Sequence, residues 1–288
     1  MSKVILITGT STGIGLHTAI QLAEKGNTVY ATMRNLSKSK ELESLAKASN
    51  VEIKLLALDV ENMESVELAV NTILKEQGRI DVLINNAGAG FVKTTENASL
   101  EEIEWVTNVN YTGVVRCTKA VLPSMRENRS GHIINISSVG GLVGQPFNEF
   151  YCAAKFAVEG YTESLASYVT PAFGVKFSIV EPGGVSTEFV NNVRQVSNLD
   201  QLKQDEYLPI LQKYFSSRNR TPEELAYIYQ KPEQVAAVIV SCVENPKPPL
   251  RVRTSAWAEE FCDLKTAADP DGLKLNAKIA KLFLNYDL

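Results

Sequence analysis

Short apolar runs alternate with segments of helical periodicity from the start of the chain to about residue 181. The apolar runs are rich in Val, Ile and Leu and show little polar alternation, which is typical of parallel strands covered on both faces. The segments between them repeat apolar residues three or four positions apart, as amphipathic helices do. This order of elements predicts one α/β domain over residues 1–288, built on a doubly wound parallel sheet of about seven strands.

The pattern also gives approximate limits for each element. Strands are predicted at Val4–Thr8, Thr28–Thr32, Glu52–Leu58, Val82–Asn85, His132–Ser137 and Lys176–Glu181. Helices are predicted at Ile14–Glu24, Lys38–Lys47, Met63–Glu76, Glu101–Met125 and Tyr151–Val169.

Two later regions depart from this alternation. Residues 186–231 are polar and irregular, and we interpret them as an insertion that forms a lid over the substrate. A short amphipathic helix is predicted within it, from Tyr207, Ile210, Leu211, Tyr214 and Phe215 at helical spacing. Residues 246–288 are a C-terminal extension, with Leu250–Arg253 as a candidate last strand and Leu273–Leu284 as an amphipathic tail helix.

The composition is that of a globular protein and excludes several classes of partner. Hydrophobic residues make up 44% of 288, and 29 basic against 33 acidic side chains give a net charge of −4. The basic residues do not cluster, so no nucleic-acid partner is expected. The first apolar run is too short to span a membrane. Four scattered cysteines and two histidines favour a reduced, cytoplasmic location without a metal site or disulfide framework.

A glycine-rich loop, Thr8-Gly-Thr-Ser-Thr-Gly-Ile-Gly15, follows the first strand directly. Glycines at three positions permit a tight turn and a close approach of the backbone to a pyrophosphate. The helix that begins there offers free N–H groups and the positive end of its dipole. The loop therefore predicts a dinucleotide site, and a simple strand-to-helix connection is the alternative.

The end of the second strand bears on which dinucleotide binds. An acidic residue there would accept hydrogen bonds from ribose hydroxyls, but this strand ends with Arg34, which can pair with a 2′-phosphate. Ser11 can donate a second hydrogen bond. These residues favour NADP(H) over NAD(H), unless Arg34 is a solvated surface charge. Asp59, after the third strand, either accepts from the adenine amino group or caps the following helix.

Tyr151 and Lys155 are four residues apart in a predicted helix, so they share one face. A neighbouring ammonium favours the phenolate and lowers the pKa of a tyrosine. We therefore expect Tyr151 to act as a general acid or base near neutral pH. For each residue alone, ordinary packing or a solvated charge is the preferred explanation, and it is their combination with the glycine loop that favours chemistry.

Ser138 and Asn110 complete the candidate catalytic set. Ser138 follows a strand at the sheet edge where α/β proteins bind ligands, so its hydroxyl can hold a substrate carbonyl, although it is also a plausible turn residue. Asn110 falls on the apolar stripe of a helix, where a buried amide needs partners. It either bonds to a bent backbone or holds a water that connects Lys155 to solvent.

With these residues in order, the chain resembles the short-chain dehydrogenase/reductase family over about residues 3–190. The T-G-x-x-x-G-x-G loop, Asn85-Asn-Ala-Gly88, the Tyr151-x-x-x-Lys155 pair and Pro182-Gly-Gly-Val-Ser-Thr187 carry the resemblance, with Asn110 and Ser138. It implies a Rossmann-type fold and an NADP(H)-dependent enzyme that moves hydride between nicotinamide and a carbonyl or secondary alcohol. It further implies a homodimer or homotetramer.

The resemblance also implies a role for each site residue. The expected catalytic residues are Asn110, Ser138, Tyr151 and Lys155, with Tyr151 as the acid/base. The expected cofactor contacts are Gly9, Ser11, Thr12, Gly13, Ile14, Gly15, Arg34, Asp59, Val60, Asn86, Ala87, Gly88, Tyr151, Lys155, Pro182, Gly183, Val185 and Thr187.

Within the family, the chain is similar to the 17β-hydroxysteroid and retinol dehydrogenase group. Val29-Tyr-Ala-Thr-Met-Arg34, the 186–231 insertion and Pro249-Leu-Arg251 carry this narrower match. It suggests a lipophilic substrate. An apolar substrate pocket is expected from Phe91, Val143, Phe147 and Phe189.

Two other functions use similar residues. A nucleotide-sugar epimerase or dehydratase can employ a Tyr-Lys pair, but the glycine spacing and the lack of a larger C-terminal domain disfavour it. A dinucleotide-sensing regulator without turnover would not need Ser138, Tyr151 and Lys155 together.

Overall fold

The computed structural model of the chain describes residues 2–186, 206–216 and 221–284, without the side chains of 215 and 216. Its centre is a seven-stranded sheet in which each neighbouring pair is parallel. The strands are β1 (Val4–Thr8), β2 (Thr28–Met33), β3 (Lys54–Ala57), β4 (Val82–Asn85), β5 (Gly131–Ile136), β6 (Val175–Glu181) and β9 (Arg251–Arg253). Their order, β3-β2-β1-β4-β5-β6-β9, reverses between β1 and β4 and confirms the predicted doubly wound fold.

The helices cover both faces of this sheet. They are α1 (Gly13–Glu24), α2 (Lys40–Ala48), α3 (Met63–Gln77), α4 (Leu100–Thr107), α5 (Gly113–Glu127), α6 (Glu149–Phe173), α7 (Leu208–Ser216), α8 (Pro222–Ile228), α9 (Pro232–Glu244), α10 (Ala256–Thr266) and α11 (Leu273–Leu284). Two short strands, β7 (Gly184–Val185) and β8 (Tyr229–Gln230), pair beside the main sheet.

The first strand shows why the strands of this sheet are continuous apolar runs. All five of its residues are buried, and successive side chains point to opposite faces of the sheet. Val4 and Leu6 pack in the core beneath α3 and α5, whereas Ile5 and Ile7 pack in the core beneath α1 and α9. A polar residue at any of these positions would face one core or the other, so the strand has no solvent-facing side.

Several predicted limits differ from the structure. The third strand is shorter than Glu52–Leu58 because it lies at the sheet edge, where only β2 supplies partners. The predicted helix Glu101–Met125 is interrupted by a π-helical turn at Asn108–Thr112. The helix predicted around residue 210 is α7, and the predicted last strand is β9. Helices α8, α9 and α10 and the β7–β8 pair were not predicted.

The tail of the chain packs back onto the domain. Helix α11 lies against α6, where Asn276 donates a hydrogen bond to the carbonyl of Glu163. Across the described ranges, no helix is both long enough and apolar enough to cross a bilayer.

Candidate active site

The glycine loop is fixed to the end of β4 by a dense set of hydrogen bonds. Thr8 Oγ1 accepts from the backbone amides of Asn86 and Ala87, at 3.1 and 3.0 Å. Asn86 Nδ2 donates to the carbonyls of Thr8 and Gly9, at 2.9 and 2.8 Å. A Cβ at Gly15 would lie 2.4 Å from Asn86 Nδ2, so this glycine holds the loop and β4 together. The loop is therefore preorganised before any ligand arrives.

The loop also leaves the start of α1 open. Gly9 and Gly13 have positive φ values of 70° and 61°, which L side chains rarely adopt. Thr12 precedes α1 in an extended conformation, and its side chain makes no capping bond with any described residue. The first turn of α1 contains no acidic residue. Its amide N–H groups and dipole can therefore receive a phosphate, as the sequence predicted.

A cleft of about 370 Å³ runs along the carboxyl ends of the strands from this loop. Most of the predicted cofactor and catalytic residues line it together. They are Gly9, Ser11, Thr12, Gly13, Ile14, Arg34, Val60, Asn86, Ala87, Gly88, Asn110, Ser138, Tyr151, Lys155, Pro182, Gly183 and Val185. Gly15 lies beneath the loop, and Thr187 is outside the described residues.

Arg34 lies at the end of the cleft formed by β2 and β3, and it has a partner that the sequence did not reveal. Its Nη1 is 3.2 Å from Oε2 of Glu61, which follows β3 and also lines the cleft. The Arg34 side chain is 65% exposed and that of Glu61 is 22% exposed. A carboxylate therefore does stand where the 2′-substituent of a ribose is expected, although it comes from the neighbouring strand.

Asp59 does not line the cleft, because its side chain turns back to the chain. Its Oδ1 accepts from the amide of Glu61 at 3.0 Å. The alternative that Asp59 caps α3 is wrong, since Asn62 is the N-cap and accepts from the amide of Ser65. Leu58 and Val60 lie on the cleft wall on either side of Asp59.

Tyr151 and Lys155 lie one turn apart on α6, at the end of the cleft opposite Arg34. Lys155 is 4% exposed, and its Nζ donates to the carbonyl of Ile136 at 2.8 Å. The same Nζ lies 5.7 Å from the centroid of the Tyr151 ring. The end of β5 thus holds the ammonium beside the phenol, as the four-residue spacing predicted.

The direction of the Tyr151 pKa shift is a correction to the sequence prediction. Burial raises the pKa of Tyr151 to about 12, and a hydrogen bond with Ser138 opposes this only in part. Burial also lowers the pKa of Lys155 to about 8, against the charge of Glu159. Loss of water is the largest cause of both shifts, so Tyr151 is a protonated acid beside a lysine whose ammonium is lost more readily than usual.

Ser138 is placed by the loop that follows β5. Its backbone is extended, and its Oγ accepts from the amide of Gly140 at 3.0 Å. The hydroxyl proton thus stays available for Tyr151 or a substrate oxygen. The neighbouring Ser137 contacts Glu159, which belongs to a buried ionic cluster. In this cluster Glu181 forms ion pairs with Arg251 and Arg253, each at 3.0 Å.

Asn110 explains the break in the long helix. Its Nδ2 donates to the carbonyls of Ala89 and Val106, at 2.8 and 2.9 Å, and its Oδ1 accepts from the amide of Ala89 at 3.1 Å. The side chain takes a carbonyl that the helix would use, which favours the π-helical turn. The bent-backbone interpretation of Asn110 is therefore confirmed.

Asn110 is also close to Lys155. A Cβ built on Gly88 would meet Asn110 Oδ1 at 2.9 Å and Lys155 Nζ at 3.7 Å. Only a glycine at this position leaves space between the two side chains. This space is where the sequence placed a water, which stays a prediction.

The three predicted substrate residues that the structure describes pack in different clusters. Phe91 is buried and packs edge-on against Phe150, with ring centroids 6.1 Å apart. Phe147 joins a cluster with Val92, Leu211 and Tyr214. Val143 packs instead with Val139, Trp257, Ala258 and Cys262. Phe147 thus packs against α7, whereas Val143 packs against α10. Phe189 lies outside the described residues.

The cleft has further lining residues that the sequence did not single out. They are Met33, Lys38, Leu58, Glu61, Ala89, Trp105, Val109, Ile136 and Ser137. Four of them end a strand or directly follow one, namely Met33, Leu58, Ile136 and Ser137, so their position at the carboxyl edge was a usable signal. Within the described residues no cluster of three or more His, Cys, Asp or Glu side chains is arranged to hold a metal ion.

Comparison with known proteins decides the family. The family model described as short chain dehydrogenase matches residues 3–198. The chain belongs to the short-chain dehydrogenase family. It is thereby an oxidoreductase of the kind that acts on alcohol and carbonyl groups.

Similar proteins in the family share most of their length with this short-chain dehydrogenase. A 3-ketodihydrosphingosine reductase of Bacteroides thetaiotaomicron is 42% identical over 277 residues, covering 94% of each chain. Retinol dehydrogenase 8 of Bos taurus is 42% identical over 284 residues, covering 94% of this chain and 86% of its own. The 17-beta-hydroxysteroid dehydrogenase type 1 of Homo sapiens is 37% identical over 277 residues, covering 93% and 82%. The predicted subgroup is confirmed.

A solved structure extends the comparison to the cofactor. A variant of actinorhodin polyketide ketoreductase with NADPH superposes with a TM-score of 0.75 at 27% identity, covering 89% of this chain and 97% of its own. The similarity supports a nicotinamide cofactor for this dehydrogenase.

Proposed function

We propose that this short-chain dehydrogenase transfers hydride between NADP(H) and a carbonyl or secondary alcohol of a lipophilic substrate, with Tyr151 as the general acid/base. The observation that carries the proposal is the convergence of Ser138, Tyr151 and Lys155 on one end of a cleft whose other side is the glycine loop. The bound dinucleotide would supply the hydride at its nicotinamide C4.

The chain's own residues would hold that dinucleotide in a definite orientation. The open start of α1 would receive the pyrophosphate, and Gly88 and Pro182 lie on the wall toward Tyr151. Arg34 and Ser11 support a 2′-phosphate, and they are the basis for proposing NADP(H). A ketoreductase of the same fold with NADPH supports the same cofactor.

The proton step follows from the charge states at Tyr151. Because burial raises the pKa of Tyr151 to about 12, the phenol is protonated at neutral pH and can give its proton to the oxygen of a carbonyl being reduced. Lys155, 5.7 Å from the ring, would stabilise the phenolate that remains. Ser138 would hold the substrate oxygen, and Asn110 would help to return a proton through the space beside Gly88.

The lipophilic substrate rests on the relatives. Their names refer to retinol, a hydroxysteroid and a ketodihydrosphingosine, which are all large apolar molecules with an oxygen to oxidise or reduce. We also propose that residues 186–231 act as the lid and that the chain assembles as a homodimer or homotetramer. Phe156 and Tyr168 on α6 are 42% and 43% exposed, which suits a contact surface.

The test is a panel of apolar ketones and alcohols assayed by nicotinamide absorbance, with Tyr151→Phe as the variant. The phenyl ring fills the same space without a proton, so we expect turnover to fall about 10²-fold to 10⁴-fold. Tyr161→Phe is a matched control, because Tyr161 is a tyrosine of the same helix that packs against Tyr111 away from the cleft. Parent-level turnover by Tyr151→Phe would refute the mechanism.

A further inference from the structure

Glu61 occupies the place where two cofactors would differ. Arg34 follows β2 and Glu61 follows β3, and these neighbouring parallel strands end at the same edge of the cleft. NADP(H) carries a 2′-phosphate where NAD(H) has a hydroxyl, and the proposed site for that group is at Arg34. At that site the ion pair of Arg34 and Glu61 would meet the only atoms by which the two dinucleotides differ.

The carboxylate of Glu61 is held in position more firmly than its partner. Its Oε1 accepts from Asn108 Nδ2 at 3.4 Å, and its backbone amide is bonded to Asp59. Asn108 is in turn bonded by Arg116 Nη2 at 2.7 Å, and Arg116 Nη1 donates to the carbonyl of Val60 at 3.0 Å. Arg34, by contrast, has a long side chain that is 65% exposed.

The consequence is electrostatic. A 2′-phosphate carries about −1.5 to −2 charges, so it would have to draw Arg34 away from Glu61 or share it, beside an anion that stays in place. A ribose 2′-hydroxyl meets no such opposition, because it can donate a hydrogen bond to the same carboxylate. The pair thus favours the unphosphorylated ribose relative to an Arg34 without a partner.

From this geometry we infer that Glu61 is a specificity-determining residue that weakens the preference of this enzyme for the 2′-phosphorylated cofactor. The inference rests on the proposed function, since it requires the dinucleotide to lie along the cleft. Lys38 also lines this end of the cleft. Its positive charge attracts both cofactors, because both carry the phosphates that they share. Among the described residues that line the cleft, Glu61 is the one carboxylate, and it lies beside Arg34 at the proposed site of the 2′-phosphate.

The experiment measures binding of two fragments without turnover. Isothermal titration calorimetry of the full chain with 2′,5′-ADP and with 5′-AMP, at low ionic strength, gives the ratio of their dissociation constants. In Glu61→Gln we expect 2′,5′-ADP to bind about fivefold to tenfold more tightly and 5′-AMP to change less than about twofold. The amide keeps the shape of the side chain and its contact with Asn108.

Three further variants make the result interpretable. Glu64→Gln removes an exposed negative charge three residues away that does not line the cleft, and we expect the ratio to stay within about twofold of the parent. Arg34→Ala should weaken 2′,5′-ADP and not 5′-AMP. Thermal unfolding of each variant checks that the fold is kept, and Glu61→Ala serves as a second test if the amide disturbs the turn.

The outcomes separate the inference from the proposal on which it rests. An unchanged ratio in both Glu61 variants, with 2′,5′-ADP still weakened by Arg34→Ala, would overturn the role of Glu61 and leave the NADP(H) proposal intact. If Arg34→Ala leaves 2′,5′-ADP unaffected, the proposed NADP(H) preference fails. If neither fragment binds the parent chain, the dinucleotide site itself is wrong.

Discussion

Lys155 and Arg34 stand at opposite ends of one cleft and differ in how much water reaches them. The Lys155 ammonium is bonded to the end of β5, and Arg34 directly follows β2. These two strands are three strand-to-strand steps apart, or about 14 Å across the sheet edge. Lys155 is 4% exposed and bonded to a main-chain carbonyl, whereas the side chain of Arg34 is 65% exposed and paired with Glu61. The loss of water therefore controls the electrostatics of Lys155, and screening by solvent controls those of Arg34.

The difference teaches which control each end obeys. A buried cation changes its charge state with pH, because burial has already moved its pKa toward neutrality. An exposed guanidinium keeps its charge at every accessible pH, but salt weakens what that charge can attract. The chemical end should therefore respond to pH, and the end that selects the cofactor should respond to ionic strength.

The largest effect is expected from removing the buried charge. Lys155→Met keeps a long unbranched side chain in the buried site but leaves Tyr151 without a cation, so we expect kcat to fall about 10²-fold to 10⁴-fold. Steady-state kinetics with the best ketone of the panel measures it. Lys119→Met, which removes an exposed lysine of α5, is the control and should keep parent turnover. Loss of turnover in both variants would mean that net charge is responsible.

A smaller effect is expected from pH. Because burial lowers the pKa of Lys155 from 10.5 to about 8, its ammonium is lost above about pH 8, while Tyr151, with its pKa raised to about 12, stays protonated. We expect kcat/KM for carbonyl reduction to fall by up to about tenfold per pH unit beyond that point. Lys155→Arg keeps its charge, so its alkaline limb should move to higher pH, and an unmoved limb would exclude Lys155 as its origin.

The same pKa predicts the opposite trend for stability. Between about pH 8 and 10.5 the unfolded chain holds the Lys155 proton more tightly than the folded chain, so the contribution of Lys155 to the free energy of unfolding rises with pH there. Urea unfolding at both ends of this window measures the difference between the parent and Lys155→Met. If activity falls in this pH range, the titration of Lys155 does not cause the loss by destabilising the fold.

The smallest effect is expected at the exposed end. Arg34→Ala should raise KM for NADPH about threefold to tenfold at low salt, with little change for NADH. The effect is modest because an ion pair between an exposed Arg34 and the 2′-phosphate contributes little to binding. Raising the ionic strength to about 0.5 M should shrink the difference between parent and variant. Initial rates with both cofactors at two salt concentrations provide the measurement. A salt-independent difference would mean that Arg34 acts through packing.

Those features of the site that depend on one segment were predictable from the sequence. The glycine loop and the Tyr151-Lys155 pair can each be recognised from the spacing of residues within one segment, and both line the cleft. The apolar runs predicted the strands for the same reason, since a doubly covered strand tolerates few polar residues.

Those features that depend on two distant segments were not predictable. Glu61 meets Arg34 only because β2 and β3 are neighbours, and Asn110 bonds Ala89, which lies on another segment. The direction of the Tyr151 pKa was missed because spacing gives proximity of charge but not the loss of water. Phe147 and Val143 were grouped by hydrophobicity, whereas separate helices pack against each.

The last strand of the sheet has a consequence for how chains of this protein meet. β9 is only three residues long, and the outward amide of Arg251 is already bonded to the carbonyl of Asp271 at 3.0 Å. Arg253 donates to the carbonyl of Pro270 at 2.7 Å, so the turn that precedes α11 crosses the open edge. A foreign strand would have to displace this turn before it could pair. The turn before α11 thus protects this edge of the sheet from pairing with a strand of another chain.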